Sequence, residues 1–147
     1  MTAETLFSIC SNAVMPVWLL LAVAPRWKVT EWIASTAIVS LLLGAVYGLL
    51  FLSSVGQIEG GFGSLEEVRQ LFANDYILLA GWVHYLAFDL FIGAWEVRDA
   101  RLVGISHWLV IPCLLFTLML GPVGLCMYFV LRLNKGAYRI GSDASPT

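Results

Sequence analysis

The sequence predicts an all-α integral membrane protein: a four-transmembrane-helix bundle with a short interfacial helix between spans 2 and 3. Three observations predict it. Of 147 residues, 60% are hydrophobic and 12% charged, whereas a soluble domain is about a quarter charged. Four apolar runs each approach the roughly 20 residues that cross a bilayer as a helix. One amphipathic segment separates the second run from the third.

The first run extends from Leu6 to Ala24 without a charge, and Pro25 stops it. The second lies within Trp32–Phe51, the third is Tyr76–Trp95, and the fourth runs from Ser106 to Leu131. Backbone groups in lipid must bond internally, so each run is read as a helix. Trp27, Trp32, Tyr76, Trp95, Trp108 and Tyr128 fall near span ends, where interfacial anchors belong. In SLEEVRQLFAND, Leu65, Val68, Leu71 and Phe72 recur at helical spacing, and Ser64 with Glu67 forms a capping box. That segment reads as a helix lying on the membrane surface. Ser40, Gly44 and Gly48 recur every four residues, a row that lets helices approach closely. Asn12 and Tyr47 read as interhelical hydrogen bonders. Residues 1–133 form one domain and 134–147 a polar tail, with no internal repeat.

Four spans would put Arg26, Lys28, Arg98 and Arg101 on one face, and Arg69, Arg132, Lys135 and Arg139 on the other. The positive-inside count is then tied. The alternative is a chain that turns back at Gly121-Pro122-Val123-Gly124 and returns the tail to the first face.

Several function classes are excluded. A net charge of −2 leaves no basic patch for nucleic acid. Cys10, Cys113 and Cys126 are odd in number, lack CxxC spacing and read as small packing residues. No HExxH, P-loop or dinucleotide fingerprint occurs, so neither metal nor cofactor is expected.

The residues that stand out are His84 and Asp89, ionisable groups inside the third run. Such groups are costly in hydrocarbon and face a bundle interior or cavity. They lie about 140° apart around a helix, whereas Tyr85 and Asp89 share a face. Counted back from Glu96 as the surface, Asp89 lies about 10 Å deep and His84 about 18 Å. His107, opening the fourth run, is shallow. Asp89 and His107 are therefore expected to approach each other if helices three and four pack. The two histidines differ in depth by about 15 Å, which argues against bis-His haem. His84 reads either as polar glue between helices or as a proton carrier, and His107 either as a solvated group or as a base. Arg98, Asp99 and Arg101 read as a solvated loop or as a clamp on the polar end of a ligand. Aromatics such as Trp82 and Trp108 are bundle core and belt, or walls for a long apolar ligand.

The pattern GWVHYLAFDLFIGAWEVRDA, followed by GISHWLVIPCLLFTLMLGPVGLCMY, resembles the abscisic-acid-deficient-four-like family. The similarity runs from ETLFSICSNAVMPVW to MYFVLRL and is strongest over residues 80–128. The family's plant members serve neoxanthin synthesis, and its bacterial and algal relatives are short four-helix proteins. This chain begins directly at its first span, without a plastid transit segment. A bacterial member in an inner or photosynthetic membrane is therefore expected, with a substrate that need not be violaxanthin.

The resemblance implies an isomerisation without net redox change. An epoxide opens and a neighbouring chain proton leaves, giving an allene. An acid must protonate the epoxide oxygen and a base must take the proton. Desolvation favours the protonated form of a carboxyl, which suits a proton donor. Asp89 fits that role, His84 or His107 the base, and Tyr85 a group that orients the substrate. Trp82, Arg98, Asp99, Arg101 and Trp108 are the expected ligand contacts. The expected partners are the lipid bilayer, a carotenoid or similar apolar molecule, and other membrane proteins of the pathway or a second copy. The alternative is a non-catalytic carotenoid-binding or assembly factor. A small transporter would call for inverted repeats, and none occurs.

Overall fold

In a computed structural model, residues 2–56 and 59–136 are described. Among them the chain is entirely helical, with seven helices: α1 (Ala3–Val23), α2 (Lys28–Thr36), α3 (Ile38–Ser54), α4 (Leu65–Leu71), α5 (Asp75–Leu102), α6 (His107–Leu120) and α7 (Pro122–Asn134). The chain divides into two compact units. One comprises Met1–Met15 and Val39–Phe88, the other Pro16–Ile38 and Asp89–Thr147. The expected polar tail lies almost wholly outside the described residues.

Two of these helices, α1 and α5, are long and apolar enough to cross a membrane. The pair α2 and α3 adds a third crossing if taken as one broken span. The expected second span is thus interrupted, at Ala37, which sits in the left-handed region at φ 51°. The cause is local. Ser35 Oγ and Thr36 Oγ1 both donate to the Trp32 carbonyl, at 3.0 and 2.8 Å. Hydroxyls bonding back onto helix carbonyls compete with the ladder and bend it.

In the first unit, α4 begins as expected. Ser64 Oγ accepts from the Glu67 amide at 3.2 Å. Glu67 Oε2 accepts from the Gly63 amide at 3.0 Å, one residue before the position a capping box uses. Leu71 is buried and Val68 half-buried, while Leu65 and Phe72 are exposed. Phe72 lies under Gly81 of α5, where a Cβ would come within 2.6 Å of its ring. The Ser40–Gly44–Gly48 row does not form the close contact its spacing suggested. Among the described residues, a Cβ on Gly44 or Gly48 meets nothing within 4 Å. Asn12 likewise bonds within its own helix, donating to the Ser8 carbonyl at 2.8 Å.

The second unit departs most from expectation. The fourth apolar run is not one long helix. It breaks at Gly121 (φ 36°, ψ −89°), which caps α6 at its C-terminus and α7 at its N-terminus. Only glycine adopts positive φ without cost, and Pro122 supplies the N1 position that proline favours. The chain then turns back. A Cβ on Gly124 of α7 would lie 2.6 Å from the Cys113 carbonyl of α6 and would clash with Thr117. In a continuous helix, positions 113 and 124 would be separated by about 16 Å. The structure therefore takes the alternative that Gly121-Pro122-Val123-Gly124 left open. Each arm of the αα-hairpin is about 20 Å long, too short to span about 30 Å of hydrocarbon. Cys10 and Cys113 are buried as packing residues, whereas Cys126 is exposed.

A Gly124→Leu substitution is expected to overpack the hairpin, at a cost of about 1–3 kcal/mol or more. Gly44→Leu serves as the control in open space. Thermal unfolding in detergent should show a lower midpoint for Gly124→Leu alone; equal midpoints would contradict close packing of the two arms.

Candidate functional site on the acidic face of α5

Asp89, Glu96 and Asp99 stand seven and then three residues apart on α5, a spacing that gathers them on one side of the helix. The α6–α7 hairpin covers that side. Gly121, at the tip, lies against the Asp89 carboxyl, and a Cβ there would be 2.7 Å from Oδ1. Further along, Thr117 Oγ1 donates to Glu96 Oε1 at 2.9 Å. Asp99 Oδ2 accepts from Tyr128 Oη at 2.6 Å and from Arg132 Nε at 2.7 Å. A second arm of Arg132 reaches Asp99 Oδ1 at 3.3 Å. The order of these contacts makes α6 antiparallel and α7 parallel to α5.

This is a desolvated polar seam. Glu96 is 0% exposed, Arg132 1% and Asp99 6%. The forked guanidinium satisfies Asp99 from two directions, the geometry in which an Arg–carboxylate pair is strongest. The Trp95 ring meets Tyr128 edge-on at 5.3 Å and stacks on Phe129 at 5.7 Å, closing the seam beside the ion pair. Glu96 is different. Its Oε1 has Thr117, but its buried Oε2 has no hydrogen-bond partner among the described residues, and no cation there forms an ion pair with it.

The residues singled out from sequence are distributed more widely than expected. Asp89 is half-buried at the hairpin tip. His107 opens α6 at the opposite end of that helix, with Nε2 donating to the Ala22 carbonyl at 2.8 Å. Asp89 and His107 are thus about 20 Å apart and do not approach. The depth estimate failed because it took Glu96 as the surface, whereas Glu96 is interior. His84, in the first unit, is exposed and packs its ring on Phe88 at 4.6 Å and against Tyr47 at 5.4 Å. Tyr85 is half-buried beside Trp82, ring centres 5.4 Å apart. Trp82 Nε1 donates to Ser11 Oγ at 2.9 Å. These two aromatics, with Phe7, Phe72, Leu78 and Leu79, line an apolar groove of about 600 Å³.

Arg98, Asp99 and Arg101 do not form a single clamp. Arg98 donates to the Ala34 carbonyl at 2.6 Å, and Asp99 belongs to the buried ion pair. Arg101 pairs with Glu31 at 2.7 Å and also donates to the Pro25 carbonyl. Trp108 is 81% exposed. It shares with Arg101 and His107 a cavity at the end of α5.

Sequence reading passed over Glu96, Thr117, Tyr128 and Arg132. The signal was available in the spacing, with Glu96 a heptad after Asp89 and Tyr128 four residues before Arg132. Taking Glu96 as the surface, and Gly121 as interior to one continuous fourth helix, hides it.

The described residues thus form a strongly apolar, all-helical chain with two helices, or three with the broken pair, long and apolar enough to cross a membrane. Residues 5–128 match the ABA DEFICIENT 4-like family model, and the chain belongs to that family. It is 28% identical over 139 residues to Protein ABA DEFICIENT 4, chloroplastic, of Arabidopsis thaliana. The match covers 88% of this chain and 61% of the plant protein, so the chain spans well under the full length of its relative. No solved structure is significantly similar.

Removing Arg132 should be severe, because it strands the Asp99 carboxylate in the interior. Arg132→Met is expected to cost about 3–5 kcal/mol, and Asp99→Leu in the same chain should restore much of the loss. Unfolding midpoints of the two single variants and the double variant, measured in detergent, test this; additive losses would contradict a direct pair.

Proposed function

We propose that this protein acts on a carotenoid or related isoprenoid within a membrane. Membership of the ABA DEFICIENT 4-like family carries the reading, together with the resemblance of its motifs to those of members serving neoxanthin synthesis. In this reading α1, the α2–α3 pair and α5 cross the bilayer, and α4 lies at its surface. The α6–α7 hairpin enters from one face and turns back beside Asp89.

The chemistry is a cofactor-free isomerisation in which an epoxide opens to an allene. Asp89 is the proton donor. It lies beside the bend of the hairpin, with Gly121 against its carboxyl. In this reading the apolar run of α5 carries it into the bilayer, where desolvation favours the protonated carboxyl that a donor needs. With His107 tied to Ala22, His84 is the better base of the two. Its exposed imidazole is stacked on Phe88 and faces a small cavity that Tyr47 and Phe51 also line. Tyr85 orients the substrate.

One observation also favours the alternative, a non-catalytic carotenoid-binding or assembly factor. The groove walled by Phe7, Phe72, Trp82 and Tyr85 has the size and apolar character of a ligand site. It would hold a pigment whether or not chemistry follows.

Expression of the chain in membranes containing violaxanthin, with pigment analysis by chromatography, separates the two. Catalysis predicts a new neoxanthin peak that falls by at least about a hundredfold in Asp89→Asn, with insertion unchanged. Full turnover in that variant would remove Asp89 as the acid. Violaxanthin that co-purifies unchanged, and is lost in Trp82→Ala, would instead establish the binder.

A further inference from the structure

Where α5 ends, the second unit contains a cavity of about 710 Å³ that the acid/base reading does not use. Arg26, Arg101 and Lys135 line it, with His107 and Ser106, and no carboxylate is among its lining residues. Arg101 is held in place by Glu31 and the Pro25 carbonyl. Arg26 and Lys135 are exposed, and neither forms an ion pair among the described residues. The cavity therefore has one fixed cation and two uncommitted ones.

Two further features have the same sign. Ser106, the N-cap of the 14-residue α6, makes no side-chain cap bond; its carbonyl takes the Leu109 amide, and the positive end of the helix, with Ser106, His107 and Trp108, lies at the cavity. One wall is apolar: Val97, Ile105 and Leu109 line the cavity, and Trp108 stands beside them almost fully exposed. Cations at one side and hydrocarbon at the other match an amphiphile with an anionic head.

Position selects among amphiphiles. The apolar stretches of α1 and α5 both terminate here, at Val23 and Leu102, and α6 begins here. A cavity at the ends of apolar helices lies at the level of lipid phosphates. Basic pockets between such helices bind anionic headgroups. We propose that this cavity binds the phosphate of an anionic phospholipid, with Arg26, Arg101 and Lys135 on the head and Trp108 along the upper acyl chain. The proposal rests on the reading that α1 and α5 cross a bilayer, and not on a carotenoid substrate.

Native mass spectrometry of the full chain in detergent, titrated with phosphatidylglycerol or phosphatidylcholine, tests it. Phosphatidylglycerol is expected to bind at least about tenfold more tightly, and to weaken as salt is raised. The Arg26→Gln/Lys135→Gln variant replaces only exposed side chains and should lose that preference by about tenfold or more. Inorganic phosphate added at millimolar concentration should not displace the lipid. Equal binding of the two lipids would overturn the proposal, as would an unchanged preference in the double variant. Displacement by inorganic phosphate would assign the cavity to a free anion and overturn the lipid assignment.

Discussion

The bond between Arg132 and Asp99 is the constraint on which the second unit depends. Two charges removed from water gain only if their geometry is close and their remaining hydrogen-bonding groups are satisfied. Here Tyr128 supplies one bond to the same carboxylate, and the guanidinium fork supplies the others. The pair can form only when α7 runs back alongside α5. It therefore selects the hairpin over a continuous helix, even though hydrophobicity alone permits either. Gly121 allows the turn and Gly124 lets the arms touch, but neither dictates where α7 ends.

From that tie the polar seam follows. Once α7 is registered on Asp99, α6 sets Thr117 opposite Glu96 and the tip sets Gly121 opposite Asp89. Three carboxylates on one helix face thus meet three different environments: an ion pair, a single hydroxyl and a backbone turn. Carboxyls of one type acquire different chemistry when their surroundings differ this much.

Much of this was legible in the sequence, and the failures have physical reasons. Composition and run length correctly gave an all-helical apolar chain, and the Ser64 cap marked the start of α4. The resemblance in residues 80–128 identified the family. The second and fourth runs were misread as unbroken because hydropathy does not register direction. A helix broken at Ala37 by back-bonding hydroxyls, or reversed at Gly121, is as apolar as a straight one. The candidate site was half legible. Asp89 stood out because it is surrounded by hydrocarbon. Glu96 and Arg132 did not, and Asp99 read as a solvated or ligand-clamping residue, because charged residues near a run's end ordinarily belong to water. Their partners lie 21 to 33 positions away, a distance no local pattern covers.

The reversal at Gly121 also bears on how such a chain enters a bilayer. In the proposed topology, Arg132 and Lys135 never have to be carried across hydrocarbon during synthesis. They stay at the end of the second unit where Arg26 and Arg101 line the cavity. A membrane potential acts on every translocated charge, with about 2.3 kcal/mol at stake per charge at 100 mV. A hairpin that dips in and withdraws delivers polar residues to the bilayer interior while leaving its basic end at the surface where it began.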